Sequence, residues 1–361
     1  MASYEKRGEF QWRAKVRRQG QPALSKTFDT KKDAEDWARE VERKIKRGEI
    51  DDLDPHTQRI TISKAIICYR ADVLPTHARE GLGTSAVHLS RIEAEFGALF
   101  VSALRAPLIN DWIKALAKNE GLGPQTIIHH LNTLSSLIGY AQSAMGIHMP
   151  AGNPAKLVKR PALPSARDRV LRQGEFDLLI RAARSPGDGL GMVAGAMLEP
   201  IVRLALETSM RQGELLAMHW SWIDQKNCVI KLPADNTKNG ESRTVALSSE
   251  AMKVLKSMPK SINGRVFGNW KDAQSFQKPW QRLLTRARSL YLEDCQRAGV
   301  DPNPHMLDNL RFHDLRHHAT TELFSKGLNP FEVASMTGHK SMQMLKRYTH
   351  VDAAKLAQKL G

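Results

Sequence analysis

Leu206-Glu207-Thr208-Ser209-Met210-Arg211-Gln212-Gly213-Glu214-Leu215 sets one arginine between an apolar helical run, Ile201 to Leu206, and the start of a second, Glu214 to Met218. A planar guanidinium that keeps its charge at any working pH suits either a salt bridge or a grip on two oxygens of an anion. Three later stretches carry the same chemistry: His313-Asp314-Leu315-Arg316-His317, Thr337-Gly338-His339 and Arg347-Tyr348-Thr349-His350-Val351. Arg211, Lys238, His313, Arg316 and His339 thus precede one phenol, Tyr348. A phenol is a weak nucleophile at neutral pH, because its pKa is about 10. Cations around it make sense if the electrophile is a phosphodiester, whose charge grows in the transition state.

In these stretches the chain resembles the tyrosine recombinases of the phage-integrase family. The resemblance is strong over residues 200–351, moderate over 60–150 and suggestive over the first fifty. It implies that Tyr348 attacks DNA, leaving a 3′-phosphotyrosyl enzyme and a free 5′ hydroxyl. Arg211, Arg316 and His339 would stabilise the phosphorane-like charge, His313 would assist proton removal, and Lys238 would protonate the departing oxygen. Glu214 would support the site from behind. His317 and His318 are assigned packing or local hydrogen bonds, and His350 no catalytic role. Thr337 stands where many relatives have Leu, a departure that bears on packing.

Local context qualifies each residue. Lys238 lies in Asn236-Thr237-Lys238-Asn239-Gly240, a polar hairpin where lysine is commonly just solvated, and Lys231 is nearby. His313 and Arg316, three apart, share a helix face. His313 and His317 have the i, i+4 spacing of a metal pair, but Asp314 occupies the position where the zinc-protease pattern requires Glu. Tyr348 is otherwise read as a core tyrosine with an anchored hydroxyl.

The chain's 361 residues point to two or three domains. Lys plus Arg number 54 against 38 Asp plus Glu, a formal +16 that favours a polyanion partner. No apolar run reaches the roughly 20 residues of a membrane span, and Met1 to Arg7 lacks a signal-peptide core. Cys68, Cys228 and Cys295 are scattered, which argues against disulfides or a thiolate metal site. A bacterial cytoplasmic, nucleoid-associated location is expected.

The expected fold class is multidomain α+β: a small three-stranded sheet plus helix, a four-helix SAM-like core-binding domain, and a mainly α catalytic domain with a small antiparallel sheet. The expected boundaries are 1–55 for an arm-type DNA-binding domain, 56–150 for the helical core-binding domain, 151–168 for a linker and 169–361 for the catalytic domain. Phe10, Trp12, Ala14 and Val16 alternate with polar residues, which predicts a half-buried strand ahead of a turn at 19–22 and a second strand at 24–28. Its other face presents Arg13, Lys15 and Arg17. Such a face is either solvated or enters a major groove; the likeness to integrase arm domains favours DNA. Thr30 can cap a helix carrying Ala34, Trp37, Ala38, Val41 and Ile45, ended by Gly48. Asp51, Asp52 and Asp54 read as a solvated linker, not a metal site.

Apolar stripes at helical spacing predict four helices between 60 and 150, with Thr61 and Ser85 as starts. Pro150, Pro154, Pro161 and Pro164, among Lys156, Lys159, Arg160 and Arg167, predict an extended basic linker without regular helix. Downstream, Trp222-Ile223, Val229 to Leu232 and Arg243 to Leu247 predict short strands. Helices are expected around 248–258, 275–291, 314–326, 330–337 and 341–347. Residues 352–361 could form an amphipathic tail.

No cofactor is expected. The G-x-x-x-x-G-K-[ST] loop is absent, and Gly189, Gly191 and Gly195 miss the G-x-G-x-x-G spacing. The resemblance implies double-stranded attachment-site DNA, a homotetramer on that DNA, and accessory bending and excision proteins as partners. A monomeric type IB topoisomerase, a catalytically silent DNA-binding regulator and a metal-dependent nuclease are the competing readings. The arm-like module disfavours the first and the intact set of candidate residues the second, while chelator sensitivity separates the third.

Overall fold

Ala14 and Val16 are buried while Arg13 and Lys15, which alternate with them, are not, and this alternation makes β2 (Gln11–Val16) the centre of a small antiparallel sheet. A computed structural model of the chain describes residues 2–17, 23–47, 59–76, 79–165, 167–185, 195–237 and 240–348. It divides into two compact units, 1–165 and 166–361. The predicted turn at 19–22, Gly48, the 51–55 linker, Lys238 and the tail after Tyr348 lie outside the described residues.

In the first unit β2 pairs with β1 (Ala2–Gly8) and β3 (Leu24–Phe28) in the order β1-β2-β3. Helix α1 (Lys31–Arg47) closes one face with Ala34, Ala38 and Val41. Thr30 starts it as expected, its Oγ1 accepting from Asp33 N at 3.1 Å. Phe10 departs from the alternation. It sits in the β1–β2 turn and is 75% exposed, because the strand begins only at Gln11.

A separate apolar cluster joins α2 (Ile62–Asp72), α3 (Arg79–Phe96), α4 (Ala106–Asn119) and α5 (Pro124–Ala144). Thr61 caps α2, its side chain accepting from Lys64 N. Helix α3 starts well before Ser85, since an apolar stripe marks the face that packs and not the full length of a helix. The proline-rich stretch also departs from expectation: α6 (Pro154–Leu157) is a short helix, with Pro154 at a position where its missing N–H costs nothing. Asn153 caps it, and Ala155 and Val158 are buried against the helical cluster.

The second unit holds α7 (Glu175–Arg184), α8 (Leu198–Thr208), α9 (Gln212–Ala217), the sheet β4 (Ile223–Asp224), β5 (Val229–Leu232) and β6 (Arg243–Ala246), then α10 (Ser249–Ser257), α11 (Ala273–Ala298), α12 (Phe312–Ser325), α13 (Pro330–Thr337) and α14 (Met342–Leu345). Trp222, expected in a strand, lies in a 3₁₀ turn, and β4 begins at Ile223. Helix α11 runs past its expected end to Gly299, whose φ of 65° stops it. Edge-to-face contacts of Phe312 with Phe276 and Trp280 tie α12 to α11. Among the described residues no helix is long and apolar enough to cross a membrane, and no group of three or more His, Cys, Asp or Glu could hold a metal.

Candidate active site

Ser209 ends α8 in a left-handed conformation, φ 52°, and this turn aims Arg211 away from the apolar helix that precedes it. Arg211 opens α9, half-buried, with its backbone N–H and Nη1 donating to Glu214 at 2.8 and 3.0 Å. Its Nη2 donates to Gly338 O at 3.1 Å. Arg316, on α12, is 5% exposed; it donates from Nη1 to Ser209 O at 2.6 Å and from Nη2 to Thr337 O at 2.7 Å. Two arginines more than a hundred residues apart are therefore anchored on consecutive carbonyls, those of Thr337 and Gly338. Burial first, then the neighbouring Arg211, pushes Arg316 down to about 9, which leaves it charged at neutral pH.

His339 follows at once. Gly338 makes the turn with φ 71°, its position crowded by Arg243, whose side chain would lie 3.2 Å from an added Cβ. The Thr337 hydroxyl donates to Val333 O at 2.6 Å and lies 2.7 Å from His339 Nδ1. A hydroxyl has one proton, so with that proton on Val333 O it accepts from Nδ1–H, and Nε2 is left to face the site. Burial, then Arg316 and Arg211, holds His339 down at about 4.

Tyr348 ends the chain's last described turn, the 3₁₀ segment Lys346–Tyr348, and is 8% exposed against Leu323, Val333 and Leu345. Its hydroxyl is hydrogen-bonded to His317 Nδ1. Its ring lies 6.3 Å from that of His339, and the Arg347 guanidinium sits 5.7 Å from its centroid. Burial raises the phenol's pKa, opposed by Arg347 and Arg316. His313, in the first turn of α12, meets His317 edge-on at 5.0 Å. Its side chain is solvent-exposed in area but crowded on its inner side. That partial burial, then His317 and Arg316, lowers it to about 4 against the pull of Asp314.

Glu214 is 3% exposed and accepts from Arg243 Nη1 and Nη2 at 2.8 and 2.5 Å as well as from Arg211. One carboxylate thus orients two guanidiniums while Arg316 and Arg347 add further positive charge. Such a site favours an anion. A cavity of about 310 Å³ opens beside it, lined by Thr237, Glu241, Arg243, Gly338, His339 and Lys340. Lys238, expected to serve this site, lies outside the described residues. Arg13, Lys15 and Arg17 belong to the other unit. Arg13 and Lys15 share the outward face of β2, where Arg13 Nη2 donates to Ser25 Oγ at 3.1 Å and Glu5 stands opposite it.

Five of the six expected catalytic residues, with Glu214, are thus brought together. Sequence reasoning missed three neighbours. His317 contacts the phenol instead of serving only local packing. Arg243 alternates with buried Val245, so it points inward and needs an anion; that alternation was the available signal. Thr337 holds His339, a role its sequence context does not reveal.

The Phage integrase family matches residues 169–355, more than half of the chain. The chain is 39% identical over 236 residues to the Shufflon-specific DNA recombinase of Escherichia coli, covering 65% of this chain and 53% of that protein, so it spans about half of that relative's length. Its fold is similar to the Tn1549 transposon integrase solved with a circular intermediate DNA (TM-score 0.63, 16% identity, 83% of this chain and 99% of that one). It is also similar to a lambda integrase dimer bound to a COC′ core site (TM-score 0.58, 18% identity, 96% of this chain and 93% of that one).

Proposed function

Because the chain belongs to the phage integrase family of tyrosine recombinases, we propose that it is a site-specific DNA recombinase that cleaves and rejoins strands through a 3′-phosphotyrosyl intermediate, integrating or excising a prophage or other mobile element. The observation that carries this reading is the anchoring of Arg211 and Arg316 on the carbonyls of residues 338 and 337, directly before His339, whose ring lies 6.3 Å from that of Tyr348. Each guanidinium keeps further N–H donors for a phosphate.

Tyr348 Oη forms the bond to phosphorus while the bond to the 5′ oxygen breaks. Arg211 and Arg316 hold the non-bridging oxygens. His339 adds a hydrogen bond from Nε2 once protonated beside the phosphate, whose charge opposes the depression of its pKa. Lys238 protonates the departing 5′ oxygen. His313, against His317 at the start of α12, adds to the polar wall of the site, and Glu214 positions Arg211. The covalent bond conserves the energy for rejoining, so no nucleotide is consumed. Residues 1–55, with Arg13, Lys15 and Arg17, bind arm-type DNA; 56–150 bind the core site; 151–168 link them to the catalytic residues 169–361. Four copies act on two sites, helped by accessory bending and excision proteins.

Incubation with nicked candidate attachment-site duplexes tests the chemistry. The parent forms a detergent-stable, chelator-insensitive protein–DNA adduct, and Tyr348→Phe forms none. Adduct from both proteins moves the nucleophile elsewhere. DNA affinity falls steeply with salt, because many phosphates are contacted.

A second reading, inversion of a DNA segment, is favoured by the 39% identity to the shufflon-specific recombinase. Plasmids carrying two sites in inverted or direct order separate the two. Activity confined to inverted sites supports inversion, and exchange between separate molecules supports integration.

A further inference from the structure

His317 immediately follows Arg316 on α12, and its Nδ1 is hydrogen-bonded to Tyr348 Oη. The two rings lie 5.7 Å apart at 29°. Among the described residues no hydrogen bond joins His313 to the phenol, and the ring that His313 meets edge-on is that of His317. A buried hydroxyl needs an acceptor, and an imidazole with its proton on Nε2 offers Nδ1 as one.

We infer that His317, and not His313, receives the phenolic proton of Tyr348 during strand cleavage and returns it during rejoining. This rests on Tyr348 being the nucleophile. The O–H bond breaks as Nδ1 takes the proton, the phenolate oxygen bonds to phosphorus, and the 5′ oxygen leaves with a proton from Lys238. On rejoining, the imidazolium gives its proton back to the departing phenolate. His317 therefore acts on the reacting atom itself.

The surroundings suit a base of this kind. Burial keeps the imidazole neutral, with Arg347, Arg316 and Arg167 acting in the same direction, so the lone pair is free at neutral pH. Asp314, one turn earlier, acts the other way and favours the imidazolium once formed. Asp314 is itself fixed by Arg167, at 2.8 and 2.6 Å, and by Arg311 N at 2.7 Å. His313 and His339 complete the titratable groups facing the ring.

The test uses the full chain on nicked duplexes, with adduct formation followed in single turnover and DNA affinity measured alongside. His317→Ala slows cleavage by about 100-fold, the low end for losing a proton acceptor, with DNA affinity unchanged. His317→Gln, which can still hydrogen-bond the phenol but cannot take its proton, is equally slow and guards against a folding defect in the alanine variant. Placing 3-fluorotyrosine at position 348 makes the phenol more acidic and restores much of the loss in either variant. A 5′-bridging sulfur leaving group, which needs no proton from Lys238, does not restore it. Cleavage by His317→Gln as fast as or faster than the parent overturns the inference, making the contact a resting latch. Rescue by the sulfur substrate but not by fluorotyrosine overturns it as well. Adduct formation by Tyr348→Phe refutes the nucleophile assignment instead, so the two failures are distinguishable.

Discussion

Glu214→Gln removes one charge from the centre of the site without changing its shape. Glu214 is 3% exposed and accepts four hydrogen bonds, two from Arg211 and two from Arg243. An amide keeps one acceptor oxygen, but its NH₂ then faces two donors, Arg211 N and Arg243 Nη2. Two bonds are lost, and two guanidiniums, 21% and 10% exposed, lose their counter-ion. Breaking a buried ion pair costs about 3–5 kcal/mol; the surviving bonds and the partial exposure of Arg211 put this case at about 3. For a unit of this size that lowers its melting transition by about 6–12 °C, readable by calorimetry of the full chain.

Acid adds a second check on the same variant. Burial alone would raise the Glu214 carboxyl, but Arg243 and then Arg211 outweigh it and hold the pKa below the ordinary 4.5. A carboxylate depressed in the folded state stabilises above the unfolded pKa and loses that contribution as pH falls through the folded one. The gap between parent and variant is therefore full at pH 7 and narrows below about pH 4.5. A melting shift under about 2 °C, or a gap that widens on acidification, refutes the reasoning.

Further outcomes follow from single contacts. Thr337→Val keeps the packing volume but removes the acceptor for His339 Nδ1; adduct formation in single turnover drops about 10-fold, the equivalent of one lost hydrogen bond. Gly338→Ala puts a Cβ at a φ of 71° and 3.2 Å from Arg243, so the melting transition falls by the equivalent of about 1–2 kcal/mol. His88 is 8% exposed, and burial followed by His130 and His129 lowers it to about 4. A base depressed in the folded state loses its stabilising effect as pH drops from the unfolded value of 6.5 towards the folded one. The first unit therefore loses stability between pH 7 and 5, seen as a lower urea midpoint, and His88→Asn reduces that acid sensitivity, the likewise depressed His130 contributing the rest.

Much of the fold is written in local pattern. Thr30, Thr61, Asn153, Ser248, Asp272 and Asn329 accept from backbone N–H groups in the first turns of their helices. The stripes of α2, α4 and α5 coincide with the buried residues of the helical cluster. Strand β1 was not legible, because only Ala2 is partly covered, residues 3–8 are exposed, and Lys6 stands on the face that would have to be apolar. The 154–157 helix was hidden by counting prolines without asking which one stands at a helix start, where proline is compatible.

Residue type and spacing along the chain were enough to single out Tyr348, the histidines and the two arginines, because short segments carry their own chemistry. What binds Arg211 to Gly338, Arg316 to Ser209 and Thr337, Arg243 to Glu214 and His317 to the phenol was decided only when α8, β6, α12 and α13 packed together. Hydrogen bonds between residues about 20 to 130 positions apart leave no periodic trace in a sequence. They depend on where folded elements meet, and here those meetings determine which imidazole reaches the tyrosine.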